Sequence, residues 1–195
     1  YVRLDSNTGF ARGNNLALPY LDDCDWIALV NPDAYVDVGW LESMLDAVAR
    51  YPDYAMFASC LLKANTPSIL DGAGDSYNLS GLAWRMGHGV TRQNFTVGEK
   101  EVFAPCAAAA LYRRDVLVAL GGFDEDFFCY FEDVDLAFRF RLAGHKCMLV
   151  RNAIAHHVGS ATTGNKNSDF VVYHGHRNMV WCYCKNMPSL LFWFL

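Results

Sequence analysis

The amino-acid sequence predicts an α/β fold in which a mixed, Rossmann-like sheet is flanked by helices. Apolar runs of strand length alternate along the chain with segments of helical periodicity, which is the pattern of this fold class. The length of 195 residues suits one domain with a well-buried core. Because ligands of α/β sheets bind at the carboxyl edge of the strands, we expect the functional site there.

The first third of the chain contains the elements predicted to begin the sheet. Residues 1–4 alternate like the end of a strand, and the glycine- and asparagine-rich residues 7–15 turn into a helix. Trp26–Val30 is a continuous apolar run of buried-strand length. Residues 38–50 carry apolar side chains at helical spacing, and residues 54–62 again resemble a strand.

The middle of the chain is predicted to be irregular. Residues 65–98 form a long glycine-rich loop that contains the sequence DGAGD. Loops of this length inside a compact domain are usually functional. Residues 102–112 are apolar and small, and a short helix is expected after Arg114.

The last third is predicted to combine an acidic loop, two strands and two helices. Residues 123–144 form an aromatic and acidic loop that opens onto a helix and ends with a glycine. Residues 145–150 and 153–157 resemble two short strands, and a final helix is expected over residues 170–186.

Charge and cysteine content exclude several classes of protein. The net charge is −5 and no basic stripe is present, so no nucleic-acid partner is expected. The seven cysteines are irregularly spaced and form no CxxC pair, which indicates neither a disulfide framework nor a zinc ribbon. We expect reduced core cysteines and a cytoplasmic location.

Asp33 follows the predicted strand Trp26–Val30 in the sequence LVNPDA. A carboxylate just past the end of a buried strand lies at the edge where α/β proteins bind ligands. Pro32 ends the strand and fixes the turn. The alternative is a simple Asn-Pro-Asp turn without a ligand.

Glu132 and Asp133 form an acidic pair in YFEDVDL, at the start of a predicted helix. Acids in the first helical turn commonly serve only as caps. However, six carboxylates lie within residues 124–135 among aromatic rings, and such surroundings raise carboxylate pKa values, as suits a general base or a cation site. Asp135 and Arg139 are four positions apart and are expected to form a structural ion pair.

His156 and His157 lie in a predicted strand, so their rings point to opposite faces and at most one faces the site. A lone strand histidine is more often a packed core residue. Taken together, Asp33, the acidic pair and one histidine offer mixed oxygen and nitrogen ligands. That mixture suits Mn²⁺ or Mg²⁺, with open positions for a diphosphate and water.

Six motifs occur in the order found in family-2 glycosyltransferases, over residues 7–188. They are NTGFARGNN, LVNPDAYV, DGAGDSYNLSG, PCAAAALYRR, GGFDEDFFCYFEDVDLAFR and HVGSATTG. Within this family the sequence resembles the rhamnosyltransferase-like members that decorate bacterial surface polysaccharides. The resemblance implies a GT-A type fold and an inverting, metal-dependent sugar transfer.

The resemblance also implies roles for the acids and the histidine. Asp133 matches the catalytic base, and Glu132 supports that base or the acceptor. Asp33 stands where the DxD-type motif binds the metal and thereby the nucleotide diphosphate, although Asn31 replaces the first aspartate. His157, and not its neighbour, matches a metal-ligand histidine.

Donor-binding residues are implied in the same way. The turn that lines the donor is matched by Asn7, Gly9, Phe10, Gly13 and Asn14, where glycines let the backbone approach phosphate or ribose. The wall of the donor-sugar or acceptor site is matched by Asp71 and Gly74.

The implied reaction moves a sugar, with rhamnose suggested, from a dTDP-, UDP- or GDP-sugar to a hydroxyl of a saccharide or lipid-linked acceptor. Asp133 removes the hydroxyl proton as the oxygen attacks the anomeric carbon opposite the diphosphate, which inverts the configuration. A divalent cation neutralises the leaving diphosphate.

Family members begin with a strand–helix–strand unit that holds the nucleotide base and ribose. The sequence starts at what resembles a later strand of that unit, so we expect a fold truncated at the N-terminus. This leaves open a non-catalytic carbohydrate-binding remnant of the same fold. A nucleotidyltransferase is a third interpretation, but the first thirty residues offer only Arg3 and Arg12 for phosphate.

The apolar sequence SLLFWFL occupies residues 189–195. We assign residues 1–187 to the glycosyltransferase core and residues 188–195 to the start of a C-terminal helical segment. That segment is either the end of a core helix or part of a peripheral contact with the inner face of a membrane. No apolar run reaches the ~20 residues of a membrane span.

Overall fold

The computed structural model of the protein describes residues 2–159 and 168–194. The strands in chain order are β1 (Trp26–Val30), β2 (Ala34–Val36), β3 (Tyr54–Lys63), β4 (Thr66–Ala73), β5 (Asp75–Tyr77), β6 (Ala83–Arg85), β7 (Lys100–Val102), β8 (Ala109–Arg113) and β9 (Lys146–His157). The α-helices are α1 (Gly9–Asn15), α2 (Trp40–Arg50), α3 (Arg114–Ala119), α4 (Glu132–Leu142), α5 (Asp169–Asn186) and α6 (Ser189–Phe194). The predicted mixed sheet flanked by helices is confirmed.

Seven strands form one mixed sheet. Five of them follow the order β1-β8-β3-β9-β2, and in addition β4 pairs with β3 and β7 pairs with β9. Strands β5 and β6 form a separate hairpin. The central strands β3 and β9 are parallel, and β1 runs with them because both β1 and β3 are antiparallel to β8. These three strands therefore end at one edge, at Val30, Lys63 and His157. This carboxyl edge holds the candidate site.

Both central strands change partners halfway along their length. Strand β3 pairs with β8 over its first half and with β4 over its second half. Strand β9 pairs first with β7 and then with β2. Toward the carboxyl edge, β4 and β2 are therefore the pairing partners of the two central strands.

The core lies on both faces of β3. Met56, Ala58 and Leu62 belong to one buried cluster, whereas Phe57 and Leu61 belong to another, as the alternation of side chains in a strand requires. Helix α2 covers the second cluster, and helix α4 covers the first. Burial on both faces explains why this strand reads as an almost continuous apolar run.

The segment predicted as an irregular loop, residues 65–98, contains three strands, so that prediction is wrong. Strand β4 pairs with β3 through a tight turn, with Lys63 opposite Thr66. The first residues of β4 are exposed, and its later residues are buried. Strand β4 forms because it pairs with β3, and its own residues do not make up a continuous apolar run. The local sequence therefore does not predict a strand.

Two other predictions of strands are corrected. Residues 146–157 form the single strand β9, whereas two separate strands were predicted. The register explains the difference, because Ser59 pairs with Val150 and the next residue of β3 pairs with Ile154, so β9 bulges between them. Residues 2–4 form no strand at all.

The cysteines agree only in part with expectation, whereas the two helices predicted at the C-terminus are present as α5 and α6. All seven cysteines are free, four are buried, and Cys184 on α5 is exposed. Within residues 2–159 and 168–194, no helix is long and apolar enough to cross a membrane.

Candidate active site

A cavity of about 1180 Å³ opens at the carboxyl edge of the sheet. Its walls come from the ends of β1, β3 and β9, the start of β4–β6, the loop before α4, and the first turns of α1 and α5. Most of the predicted site residues line it: Asn7, Gly9, Phe10, Asp33, Asp71, Glu132, Asp133 and His157.

Three predicted donor-binding residues do not line the cavity. The side-chain amide of Asn14 donates to the carbonyl of Phe10, 2.8 Å away within α1, and Gly13 lies beside it in the same helix. Gly74 has φ +75° and packs against Val102, where an added Cβ would lie 2.7 Å from a methyl group. Backbone conformation and close packing explain this glycine without a ligand.

Asp133 lies half-buried in the cavity wall at the start of α4. Its Oδ2 accepts a hydrogen bond from the backbone N–H of Ala107 (3.1 Å), and its Oδ1 accepts one from Val134 (2.9 Å). Burial raises the pKa of Asp133 although both backbone bonds oppose the shift. The carboxylate is therefore fixed in place and more basic than an exposed aspartate.

Glu132 precedes Asp133 and is buried in the same wall. Its Oε2 has no hydrogen-bond partner among the described residues. Burial, followed by the negative charge of Asp133, raises the pKa of Glu132 well above its ordinary value. Burial and the neighbouring charge of Asp133 therefore both favour the protonated form of Glu132.

His157 lies between two aspartates. Its Nδ1 is 2.8 Å from Oδ2 of Asp71, and its Nε2 is 3.6 Å from Oδ1 of Asp33. Asp71 also pairs with Arg85. Although burial opposes it, the hydrogen bond with His157 and the charge of Arg85 lower the pKa of Asp71, so this carboxylate is ionised.

The neighbouring His156 points elsewhere. Its Nε2 lies 3.0 Å from Oδ1 of Asp37, outside the cavity lining. The alternation of a strand puts the two rings on opposite sides, and of the two histidines the cavity receives His157.

Asp33 and His157 fit a divalent cation as two of its ligands. Their facing atoms are 3.6 Å apart, a spacing that one ion with bonds of about 2.1 Å spans. Asp71 holds the other ring nitrogen, as carboxylates do behind metal-bound histidines. Within the described part of the chain, no three His, Cys, Asp or Glu side chains form a cluster able to hold a metal.

The loop before α4 is unusually constrained. Phe128, Tyr130 and Phe131 have φ values of 63°, 66° and 66°, in the left-handed region that aromatic residues rarely adopt. The carbonyl of Phe128 accepts a hydrogen bond from the backbone N–H of Phe10 (2.7 Å). An added Cβ on Gly9 would lie 2.5 Å from the Phe128 ring. The loop is thus joined to the turn at the start of α1.

The charged cavity residues that sequence reasoning missed include Asp75 and Arg85, which face each other across the β5–β6 hairpin. Asp75 is buried, and its Oδ1 lacks a hydrogen-bond partner among the described residues. Burial, with the charge of Asp133 second, raises the pKa of Asp75 to about 7. The only sequence signal was the acidic residue at the end of DGAGD.

Comparison with known proteins gives sequence relatives of one kind. The chain is 28% identical over 172 residues to N-acetylglucosaminyl-diphospho-decaprenol L-rhamnosyltransferase of Mycobacterium tuberculosis, covering 80% of this chain and 54% of the relative. It is 28% identical over 147 residues to rhamnosyltransferase WbbL of Escherichia coli, and the match covers 70% of this chain and 55% of the relative. The chain therefore spans about half the length of these curated relatives. No protein-family model matches it.

Solved structures share the fold at low identity. GalNAc-T7 with UDP, GalNAc and Mn²⁺ superposes with a TM-score of 0.67 at 14% identity, over 93% of this chain and 35% of that chain. Mannosyltransferase PcManGT from Pyrobaculum calidifontis, with GDP-Man and Mn²⁺, superposes with a TM-score of 0.54 at 14% identity. The match covers 83% of this chain and 39% of that chain. Staphylococcus aureus TarS superposes with a TM-score of 0.54 at 14% identity, and the match covers 95% of this chain and 32% of that chain. The expected resemblance and the GT-A type fold are both confirmed: the chain is similar in sequence to rhamnosyltransferases and similar in fold to GT-A glycosyltransferases.

Proposed function

We propose that this chain carries the catalytic site of an inverting glycosyltransferase that moves a sugar from a nucleotide diphosphate sugar to an acceptor hydroxyl. The observation that carries the proposal is one cavity that holds both Asp133 and the facing pair Asp33 and His157. A base and a cation site in one cavity are the two groups that the proposed transfer uses. The sequence relatives, which are rhamnosyltransferases, support the assignment.

Asp133 is the general base of the proposed reaction. The backbone N–H groups of Ala107 and Val134 orient its carboxylate and leave further lone pairs for the acceptor hydroxyl. A pKa raised by burial makes proton abstraction near neutral pH more favourable. The deprotonating oxygen attacks the anomeric carbon from the face opposite the diphosphate, so a single displacement inverts the configuration.

Asp33 and His157 would hold the divalent cation, Mn²⁺ or Mg²⁺. When bound, such an ion supplies Lewis-acid stabilisation of the leaving diphosphate. Asp71 keeps the Nδ1 of His157 engaged, so that Nε2 is directed toward Asp33. Asn7, Gly9 and Phe10 lie on the cavity wall where the donor would bind.

The comparisons suggest the substrates. The solved neighbours hold UDP and GDP-mannose, and the mycobacterial relative is named for a lipid-linked diphosphate sugar acceptor and for rhamnose. We infer a nucleotide sugar donor, with rhamnose as the suggested sugar, and a saccharide or lipid-linked acceptor in cell-surface polysaccharide synthesis.

The C-terminal helices fit a peripheral contact with the inner face of a membrane. Leu190 and Trp193 on α6 are 71% and 80% exposed, and Val180 and Trp181 on α5 are also exposed. Flotation with anionic liposomes tests this contact, with the double variant Leu190→Ser, Trp193→Ser as comparison. Equal flotation of both proteins, or flotation of neither, contradicts it.

Calorimetric titration with dTDP, UDP and GDP, each with and without Mn²⁺, tests the donor site. We expect Mn²⁺-dependent binding of one nucleotide that is lost in Asp33→Ala and retained in Asp37→Ala, whose carboxylate lies outside the cavity lining. Binding that is independent of Mn²⁺ and of Asp33 contradicts the metal site. Absence of binding for all three contradicts a complete donor site in this chain and favours the carbohydrate-binding remnant.

A further inference from the structure

Asn178 on α5 is fully buried and binds three backbone carbonyl groups of the loop before α4. Its side-chain amide nitrogen donates to the carbonyl oxygens of Phe127 (2.9 Å), Cys129 (2.8 Å) and Tyr130 (2.7 Å). Its Oδ1 accepts a hydrogen bond from the Nε of Arg177, 2.9 Å away. The polar atoms of the amide are therefore all engaged, and its orientation is fixed by its partners.

The same loop contains the residues with left-handed backbone. Such backbone conformations are strained for residues other than glycine and persist only where the surroundings hold them. Arg177 adds two contacts, from its Nη2 to the carbonyls of Asp126 (3.1 Å) and Phe127 (3.2 Å). Helix α5 thus holds the loop through hydrogen bonds from Arg177 and Asn178 to its backbone carbonyl groups.

The position of Asp133 depends on this loop. Phe131 is the N-cap of α4, so the loop conformation sets where the helix begins and where its first two acids point. Asn178 is absent from the cavity lining and does not reach Asp133 in any described contact. Its hydrogen bonds connect Asn178 to the site through the backbone of residues 127–131.

We propose that Asn178 is a positioning residue for the base: it holds the loop of residues 127–131 so that α4 begins with Asp133 in the cavity. This inference rests on the proposed function, because it assumes that Asp133 abstracts the acceptor proton. It assigns a role in catalysis to a side chain on a different element, outside the site.

Asn186 provides a matched control on the same helix. It is also buried, and its amide donates to Oδ1 of Asp135 (2.7 Å) and to the carbonyl of Cys182 (3.0 Å). The first bond ties α5 to α4 at Asp135, and neither bond touches the loop of residues 127–131. A general effect of loosening the two helices should therefore appear in Asn186→Ala as well.

The experiment compares Asn178→Ala, Asn178→Asp and Asn186→Ala in sugar transfer and in thermal unfolding. We expect kcat to fall about 100-fold in both Asn178 variants, as misplacement of a catalytic group by ~1 Å can produce. The KM for the nucleotide sugar should change little. Asn186→Ala should lower the unfolding midpoint comparably while leaving kcat near the wild-type value.

Hydrogen exchange of the loop amides adds a readout that does not depend on activity. Exchange in residues 127–131 should accelerate in Asn178→Ala and not in Asn186→Ala. If Asn178→Asp does not fold, Asn178→Ala carries the comparison, since it adds no buried charge.

The two possible failures are distinguishable. Unchanged loop exchange in Asn178→Ala overturns this inference, as does an equal loss of kcat in Asn186→Ala at matched stability. A wild-type chain that transfers no sugar overturns the proposed function, and with it the role of Asn178 in catalysis.

Discussion

The Nδ1 atom of His157 lies 2.8 Å from Oδ2 of Asp71, and both side chains are buried. The contact joins strand β9 to strand β4 across the end of β3. It leaves Nε2 on the side of Asp33, 3.6 Å from its Oδ1. Asp71 therefore orients the proposed metal ligand and does not itself need to contact the ion.

Replacement of Asp71 by Asn should weaken Mn²⁺-dependent nucleotide binding about 10- to 100-fold, the usual cost of losing a carboxylate behind a metal-bound histidine. Calorimetric titration of Mn²⁺ in the presence of the nucleotide measures the change. Asp37→Asn, which alters the equivalent contact of His156, serves as control and should bind normally. Equal affinities in wild type and Asp71→Asn would refute the orienting role.

Gly9→Ala should impair nucleotide binding, whereas Gly13→Ala should not. Gly9 has φ +81°, and its added Cβ would clash with the ring and carbonyl of Phe128. Gly13 has ordinary helical geometry, and its added Cβ meets only the Thr8 hydroxyl at 3.9 Å. Gly13→Ala should also stabilise α1 by about 0.5–1 kcal/mol. Nucleotide titration and thermal unfolding of both variants check this, and equal behaviour would contradict it.

Asp75→Asn should change how stability depends on pH. The pKa of Asp75 is raised from 3.8 to about 7 in the folded protein, so the folded state holds a proton there that the unfolded state has lost. Wild-type stability relative to the variant should therefore fall as pH rises from about 4 to about 7, and then stay constant.

Urea unfolding at several pH values measures this difference. The exposed Asp46 on α2 provides the control variant Asp46→Asn, which should parallel the wild type. If wild type and Asp75→Asn differ in free energy of unfolding by the same amount from about pH 4 to about pH 7, the pKa of Asp75 is not raised and the prediction is contradicted.

Asp135→Ala should destabilise the fold by about 3–5 kcal/mol, because it leaves a partner cation without its buried counter-charge. Asp135 is fully buried, and its Oδ2 accepts a hydrogen bond from Nε of Arg139 at 2.9 Å. Arg139 also donates to the carbonyls of Leu120 and Gly122, tying α4 to the end of α3. Denaturant unfolding measures the loss, and a change below 1 kcal/mol would contradict a structural role for the pair.

The local sequence was sufficient to predict features that depend on the residues of a single helix or strand. The run WIALV occupies strand β1 to the residue, and the four-residue spacing of Asp135 and Arg139 gave their ion pair. Helix α5 begins one residue before its predicted start, and Ser168 accepts a capping hydrogen bond there. In each case the signal and the structure lie within one segment.

Long-range pairing explains the failures. Strand β4 is ordered by β3, and Asp75 meets Arg85 only because β5 and β6 form a hairpin. Asn178 lies 48 to 51 positions from the carbonyls it binds, so no local pattern connects them. The acids and the histidine were predicted as site residues because each begins, ends or follows a recognisable element, whereas these partners depend on the assembled fold.

Sugar transfer by Asp133→Asn, measured with nucleotide binding on the same samples, tests the central claim most directly. The amide keeps the shape of the side chain but cannot accept the acceptor proton. We expect donor binding close to that of wild type and transfer reduced by about 100- to 10,000-fold, the usual contribution of a general base. Transfer retained at the wild-type rate would contradict the assignment of Asp133 as the base.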